Sequence, residues 1–450
     1  MPNRMLSPNR AITRPWLRGP IVALTLTFAV PASLAPATAQ RAPTESASLT
    51  RATPESVGMS ATRLAKLKKA FEKEIADKKI PGVVMMIARK GRLVYTNAIG
   101  KRDPKAADSM RLDTIFRAYS MTKPFASVAA MTLVEDGIVA LSDPVSKYLP
   151  AFKDIKVATA TGEVAAERPM NVQDLLRHTA GLSYGELTVN NAVKDALTKA
   201  GIFKPNVIEF DARDMSPAEF TERLAKVPLI HQPGTAWEYS HATDVLGRVV
   251  EAASGKRLGD YLSERVFKPL KMNDTAFWVP ADKLARVAEP FEKDPLAGTP
   301  IKLIDVSKIP GNDSGGAGSM TTAGDYLRFA QMLANGGTLD GQRILSRTTV
   351  RLMSSDHLAG RIPLANTPGG GVLGGQTYTF GLGFAVRQGD GLAPFPGSAG
   401  DYNWGGYAGT YFWVDPKEQL VAVMMVQSAG ALRLVHRLMF RQLVYQAIAD

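Results

Sequence analysis

The chain of 450 residues contains no cysteine. That absence excludes disulfides, a thiol nucleophile and thiolate metal sites, although it does not fix a compartment, because exported proteins need not be cross-linked. Histidine is scarce, at five residues. His178, His231, His357 and His436 show no H-x-x-x-H or H-E-x-x-H spacing, so neither a metal nor a cofactor is implied. No basic run carries interleaved aromatics, and no zinc or basic-helix motif is present. A net charge of +12 therefore reads as a basic soluble protein with no nucleic-acid partner. No internal repeat of 20–50 residues is evident.

Long apolar runs are also missing. The candidate nearest the N-terminus, Ile21–Val30, is too short to span hydrocarbon and is followed by Pro31 and Pro36. Its setting has another meaning. Arg4, Arg10, Arg14 and Arg18 precede it without an acidic residue, and Ala37-Thr38-Ala39 follows as a small-residue cleavage site. Residues 1–39 thus read as a signal peptide cut before Gln40, with no stable membrane insertion after cleavage and a periplasmic or secreted product. Residues 40–55 are polar and read as a linker.

The whole chain is 45% hydrophobic and 21% charged, an ordinary globular balance with ample material for a core. Ser60 caps a helical pattern to Lys79, with Leu64, Leu67, Phe71 and Ile75 on one face. "GVVMMIA" and "RLVYTNAIG" flank Arg89-Lys90-Gly91 and read as a hairpin. The far end mirrors this order: "YAGTYFWV" and "QLVAVMMVQS" flank Asp415–Glu418, and "ALRLVHRLMFRQLVYQAIA" closes with an amphipathic helix. The expected fold is α/β (α+β). An antiparallel sheet built by both termini, from 56–149 and 311–450, carries N- and C-terminal helices, with a mostly helical domain inserted at 150–310.

Two serines compete for a chemical role. Ser183 lies in "GLSYG", a G-x-S-x-G string, the pattern of the α/β-hydrolase nucleophile elbow. That elbow needs a strand, a tight turn and a helix. Here "NVQDLLRHTAG" upstream reads as a short helix, and the sheet halves look antiparallel, so Ser183 is expected to be a bystander. Ser120 opens Ser-x-x-Lys, a spacing expected by chance about once or twice in a chain this long. Its context is stronger. The buried-looking run "MTKPFASVAAMTLVEDG" follows, with Pro124 tolerated in the first turn and Gly137 as a C-cap. Residues three apart share a helix face, so the Lys123 amine can approach the Ser120 hydroxyl. A serine needs a base to become nucleophilic, burial favours the neutral amine that can be one, and a helix N-terminus offers N–H groups to an oxyanion.

Two further strings stand in order behind it: Tyr239-Ser240-His241 opening a helix, and Trp404-Gly405-Gly406-Tyr407 leading into a late strand. With "LVEDGIVALSDPVSKYLP", "LLRHTAGL", "HQPGTAWEYS" and "GGAGSMTTAGDYLRFAQML", the chain resembles the serine β-lactamase and penicillin-binding-protein superfamily, with its Ser-x-x-Lys, Tyr-x-Asn and Lys-Thr-Gly signatures. Tyr-Ser-His and Trp-Gly-Gly depart from the second and third signatures and resemble family VIII carboxylesterases, which are class C β-lactamase-like. The resemblance implies a β-lactamase/transpeptidase-like fold and an exported serine hydrolase of small to medium esters. Ser120 would be the nucleophile, Lys123 its base and Tyr239 the proton shuttle. The N–H groups of Ser120 and Tyr407 would form the oxyanion hole. Trp404, Gly405 and Gly406 would line the substrate site, and His241 would either orient Lys123 or Tyr239 or act structurally. The alternatives are a β-lactamase or D-alanyl-D-alanine carboxypeptidase, acting on a β-lactam or peptide, and a non-catalytic envelope protein of the same fold.

Overall fold

The computed structural model describes residues 49–106, 108–204 and 213–450; the expected signal peptide and the linker up to residue 48 lie outside them. One sheet organises the chain. Its strands are β1 (Gly82–Arg89), β2 (Arg92–Gly100), β3 (Tyr378–Phe380), β4 (Ala385–Arg387), β5 (Tyr402–Gly405), β6 (Tyr411–Asp415) and β7 (Leu420–Met425). They lie in the order β2-β1-β7-β6-β5-β4-β3 with every neighbour antiparallel. The N-terminal hairpin joins the C-terminal strands through β1 and β7, where Met85 faces Met424.

The turn chemistry sets the first hairpin. Lys90 and Gly91 both take the left-handed region, at φ 51° and 73°, the two-residue turn whose twist matches that of its strands. β1 is apolar because both of its faces are covered. Successive side chains point to opposite sides of a strand. Val84, Met86 and Ala88 enter one core with Phe412, Val414, Val421 and Val423. Val83, Met85 and Ile87 enter the other with Trp413 and Met424.

Helices complete the layers. They are α1 (Ala61–Ala76), α2 (Thr122–Glu135), α3 (Ala242–Ser254), α4 (Ala323–Ala334) and α5 (Leu432–Tyr445). α1 and α5 cover the second face, with Leu64, Leu67, Phe71, Phe440 and Val444 buried there. Phe71 is wholly buried, and its loss to alanine would cost about 3–5 kcal/mol. The Ser60 hydroxyl accepts from the Arg63 N–H at 3.3 Å, capping α1 as its sequence implied. The helix stops three residues before Lys79, because Lys78 turns left-handed (φ 57°) ahead of Pro81.

On the other face α4 packs on β1, β6 and β7, and α2 packs on α3. α2 is buried from Thr122 to Leu133, which explains why that run shows no polar stripe. Between residues 150 and 310 the regular elements among the described residues are mostly short helices joined by long irregular segments, with one short ribbon, Lys156–Thr159 against Gly162–Ala165. Among the described residues no helix is long and apolar enough to cross a membrane.

Candidate active site

The site starts with a strained residue. Tyr119 is left-handed at φ 47°, a conformation costing a side-chain-bearing residue roughly 1–2 kcal/mol. Its surroundings impose it. The Tyr119 hydroxyl accepts from the Ile304 N–H at 3.1 Å, and its ring meets Tyr407 edge-on at 5.5 Å. The Ala118 N–H donates to Ser319 O at 2.9 Å. This anchoring turns the chain so that Ser120 sits in a 3-10 turn, Tyr119–Met121, leading directly into α2. Sequence spacing placed Ser120 at the helix start; the tighter turn puts it just before the first α-helical residue.

Lys123 and Tyr239 converge on that serine. The Tyr239 hydroxyl donates to Ser120 Oγ at 2.7 Å, and Lys123 Nζ lies 3.4 Å from the same oxygen. Lys123 is buried. Its other partners are the Tyr184 hydroxyl at 3.1 Å and the Gly316 carbonyl at 2.9 Å. Nζ also sits 4.4 Å from the Tyr239 ring centroid, a cation–π distance.

The G-x-S-x-G stretch contributes its tyrosine. Ser183 follows a short helix, Val172–Leu176, rather than a strand, and its buried hydroxyl has no hydrogen-bond partner among the described residues. Tyr184, one residue on, reaches Lys123. Burial first, then the nearby Asp244 charge, pushes the Tyr184 hydroxyl well above the usual phenol range, so it remains protonated. His178 stands behind Tyr239 with ring centroids 5.0 Å apart. Its ring nitrogens lie 3.3 Å from Ser240 Oγ and 3.4 Å from Thr243 Oγ1. Burial, then the Lys123 charge, holds it well below the ordinary imidazole value.

His241 reaches neither Lys123 nor Tyr239 by a hydrogen bond. It precedes α3, and its Nδ1 donates to Asp244 Oδ2 at 3.1 Å while its ring meets Tyr184 edge-on at 4.3 Å. Asp244 is buried, which alone would raise its carboxyl. The hydrogen bond and charge from His241, with the charge of Lys123, outweigh burial and lower it. Among the described residues no group of three or more His, Cys, Asp or Glu side chains could hold a metal.

The third string occupies the end of β5 rather than the lead into the next strand. Trp404 and Gly405 belong to β5, and Gly406 and Tyr407 begin the turn to β6. Trp404 is buried, 5.4 Å from the Tyr239 ring and 5.3 Å from Phe380. Gly406 lies so near the serine turn that a Cβ there would fall 2.2 Å from Ala118 O, so only glycine fits. At Gly405 a Cβ would fall 2.5 Å from Arg437 Cζ. Arg437, from α5, bonds the carbonyls of Gly406 and Thr410. Burial, then the Arg433 charge, pushes its guanidinium down to about 10. Sequence reading missed Tyr184, Asp244 and Arg437. Tyr184 alone had a local signal, its place beside the competing serine.

Comparisons with known proteins identify the family to which this fold and this Ser-x-x-Lys-bearing chain belong. The sequence model described as Beta-lactamase matches residues 67–445. The chain belongs to the β-lactamase family. Protein Rv1367c of Mycobacterium tuberculosis is 34% identical over 357 residues, 77% of this chain and 86% of that protein. Esterase EstB of Burkholderia gladioli is 32% identical over 391 residues, covering 82% and 91% of the two chains. The solved structure of EstCE1, described as a hydrolase with promiscuous acyltransferase activity, superposes with a TM-score of 0.71 at 29% identity, covering 85% of this chain and 99% of its own. The β-lactamase/transpeptidase-like fold expected from the sequence is the one observed.

Proposed function

We propose that this β-lactamase-family chain is an exported carboxylesterase working through a Ser120 acyl-enzyme on small or medium carboxylic esters. The observation that carries the reading is the pair of contacts on one oxygen: Tyr239 Oη at 2.7 Å and Lys123 Nζ at 3.4 Å from Ser120 Oγ. To take the Ser120 proton Lys123 must first shed one of its own, which leaves the amine two protons and one lone pair. The protons serve the Gly316 carbonyl and the Tyr184 hydroxyl, and the lone pair faces Ser120. Ser120 Oγ attacks the ester carbonyl carbon as its proton passes to Lys123. The N–H groups of Ser120 and Tyr407 receive the oxyanion. Tyr239 gives its own proton to the departing alcohol and, as a phenolate, takes one from the water that hydrolyses the acyl-enzyme, while Lys123 returns its proton to Ser120 Oγ as the acid leaves.

Esterase names among the relatives and an indole where a lactamase-type third motif carries lysine favour an ester over an anionic β-lactam. The arginine-rich leader supports export. Purified protein should hydrolyse short-chain p-nitrophenyl esters far better than nitrocefin, and a fluorophosphonate should label Ser120. Label on Ser183, or faster nitrocefin turnover, would reject the proposal.

A further inference from the structure

The proposed roles leave a buried charge unused. Asp244 stands in the first turn of α3, 5% exposed, and accepts three hydrogen bonds. His241 Nδ1 donates at 3.1 Å, Ser314 Oγ at 2.6 Å and the Gly316 N–H at 3.0 Å. The last of these matters for Lys123. The N–H of Gly316 is held by Asp244, while the carbonyl of the same residue accepts Lys123 Nζ at 2.9 Å. One carboxylate therefore fixes the backbone segment that supplies the only main-chain acceptor recorded for the lysine among the described residues.

The packing leaves that segment little freedom. A Cβ on Gly316 would fall 2.7 Å and 2.9 Å from the two Asp244 oxygens, and one on Gly315 would fall 2.5 Å from Thr243 O and 3.3 Å from Ala126 Cβ. The double glycine thus threads between α2, which carries Lys123, and α3, which carries Asp244. Ser314 also donates its hydroxyl to Asp244 and accepts the Ala317 N–H at 3.0 Å, closing the loop on itself. A buried carboxylate leaves water only when hydrogen-bonded and compensated by charge. Here the hydrogen bonds come from His241, Ser314 and Gly316, and the charges of His241 and Lys123 add to them.

We infer that Asp244 is a positioning residue for Lys123: through Gly316 it fixes where the lysine nitrogen stands relative to Ser120. This inference rests on the Ser120–Lys123 reading above. It also gives His241 a defined task, since its imidazole orients Asp244 rather than the catalytic groups. If so, removing the carboxylate's charge while keeping its shape should slow acylation and leave ester binding nearly untouched.

The experiment is a double-mutant cycle on p-nitrophenyl butyrate, with wild type, Asp244→Asn, Lys123→Ala and the pair, plus Ser120→Ala and thermal melts of each. Asp244→Asn is expected to lower kcat about tenfold to a hundredfold with KM changed less than about threefold, and to have no further effect once Lys123 is alanine, as for residues that act as a unit. Gly316→Ala perturbs the same clamp from the backbone side and should behave alike, so a poorly folding Asp244→Asn would not end the test. An unchanged kcat in both variants, or the same fractional loss with and without Lys123, overturns the inference. If Ser120→Ala keeps full activity, the serine reading fails and the inference falls with it. If Ser120→Ala is dead while both clamp variants match wild type, the serine reading stands and the clamp alone is refuted.

Discussion

Replacing Tyr239 by phenylalanine removes one oxygen and little else. The ring is held by Trp237 (centroids 6.3 Å apart, stacked), His178 at 5.0 Å, Tyr184 at 5.4 Å and Trp404 at 5.4 Å, and a phenyl ring keeps every one of these contacts. What disappears is the 2.7 Å hydrogen bond to Ser120 Oγ. One such bond contributes about 1 kcal/mol to stability, which moves the melting temperature by no more than about 4 °C in a chain of this size. A lost proton shuttle costs far more in rate, about 10²–10⁴ in kcat, or about 2.7–5.4 kcal/mol of barrier at 1.36 kcal/mol per tenfold. The assay is kcat on p-nitrophenyl butyrate set beside a thermal melt of the same preparation. A hundredfold loss of kcat with a nearly unmoved melt supports the assignment. A kcat within about fivefold of wild type would refute it, since that lies below the range for a positioned acid or base. A melt lowered by about 10 °C or more would show instead that the hydroxyl holds the core.

The remaining expectations use other parts of the chain. Ser120→Ala should abolish esterase activity and fluorophosphonate labelling, whereas Ser183→Ala, at a buried hydroxyl without a partner among the described residues, should retain most of both; the reverse pattern would restore the elbow reading. Asp401, wholly buried, pairs with the buried Arg441 and lies 3.9 Å from Arg387, so Asp401→Ala should cost about 3–5 kcal/mol in chemical denaturation by stranding buried cations, and a loss below about 1 kcal/mol would contradict this. Burial lowers His178, His357 and His436 below the ordinary imidazole value of 6.5. The folded chain then binds fewer protons than the unfolded chain below that value, so their contribution is intact above pH 6.5 and declines as the pH falls through it. The urea midpoint should be lower at about pH 5.5 than at about pH 7.5, and His178→Gln should reduce the difference; an equal or higher midpoint at the lower pH would contradict it.

Much of the architecture could be read before any coordinates because its signals are local. The period of α1 and α5, the β1–β2 turn at Lys90-Gly91 and the Ser120–Lys123 spacing each need only a few neighbouring residues. β3 and β4 escaped notice for the same reason in reverse, since three residues each are too few to show a period of two. The Trp404 boundary slipped because the glycines after it read as a turn before a strand, whereas the strand had already begun at Tyr402. Asp244 and Gly316 are 72 residues apart. Their meeting is fixed by how α2 packs on α3, and no short-range pattern records that.

The departure at the third string also has a physical logic. With Trp404 where a lactamase-type motif holds lysine, charge near β5 comes instead from Arg437 on α5. Its guanidinium is directed at the Gly406 and Thr410 carbonyls, and a Cβ on Gly405 would fall 2.5 Å from its Cζ. A rigid, forked cation suits two converging carbonyls better than a lysine's single ammonium point would. The cation therefore tightens the turn that carries Tyr407, while the indole packs on Tyr239 and Phe380. Arg437 thus supports the turn from the helix, and Trp404 forms an aromatic wall beside Tyr239. Such a wall gains by contact with an apolar acyl or alkoxy group and gives a substrate carboxylate no compensating charge. On the proposed mechanism, that wall suits an ester better than a substrate carrying a carboxylate.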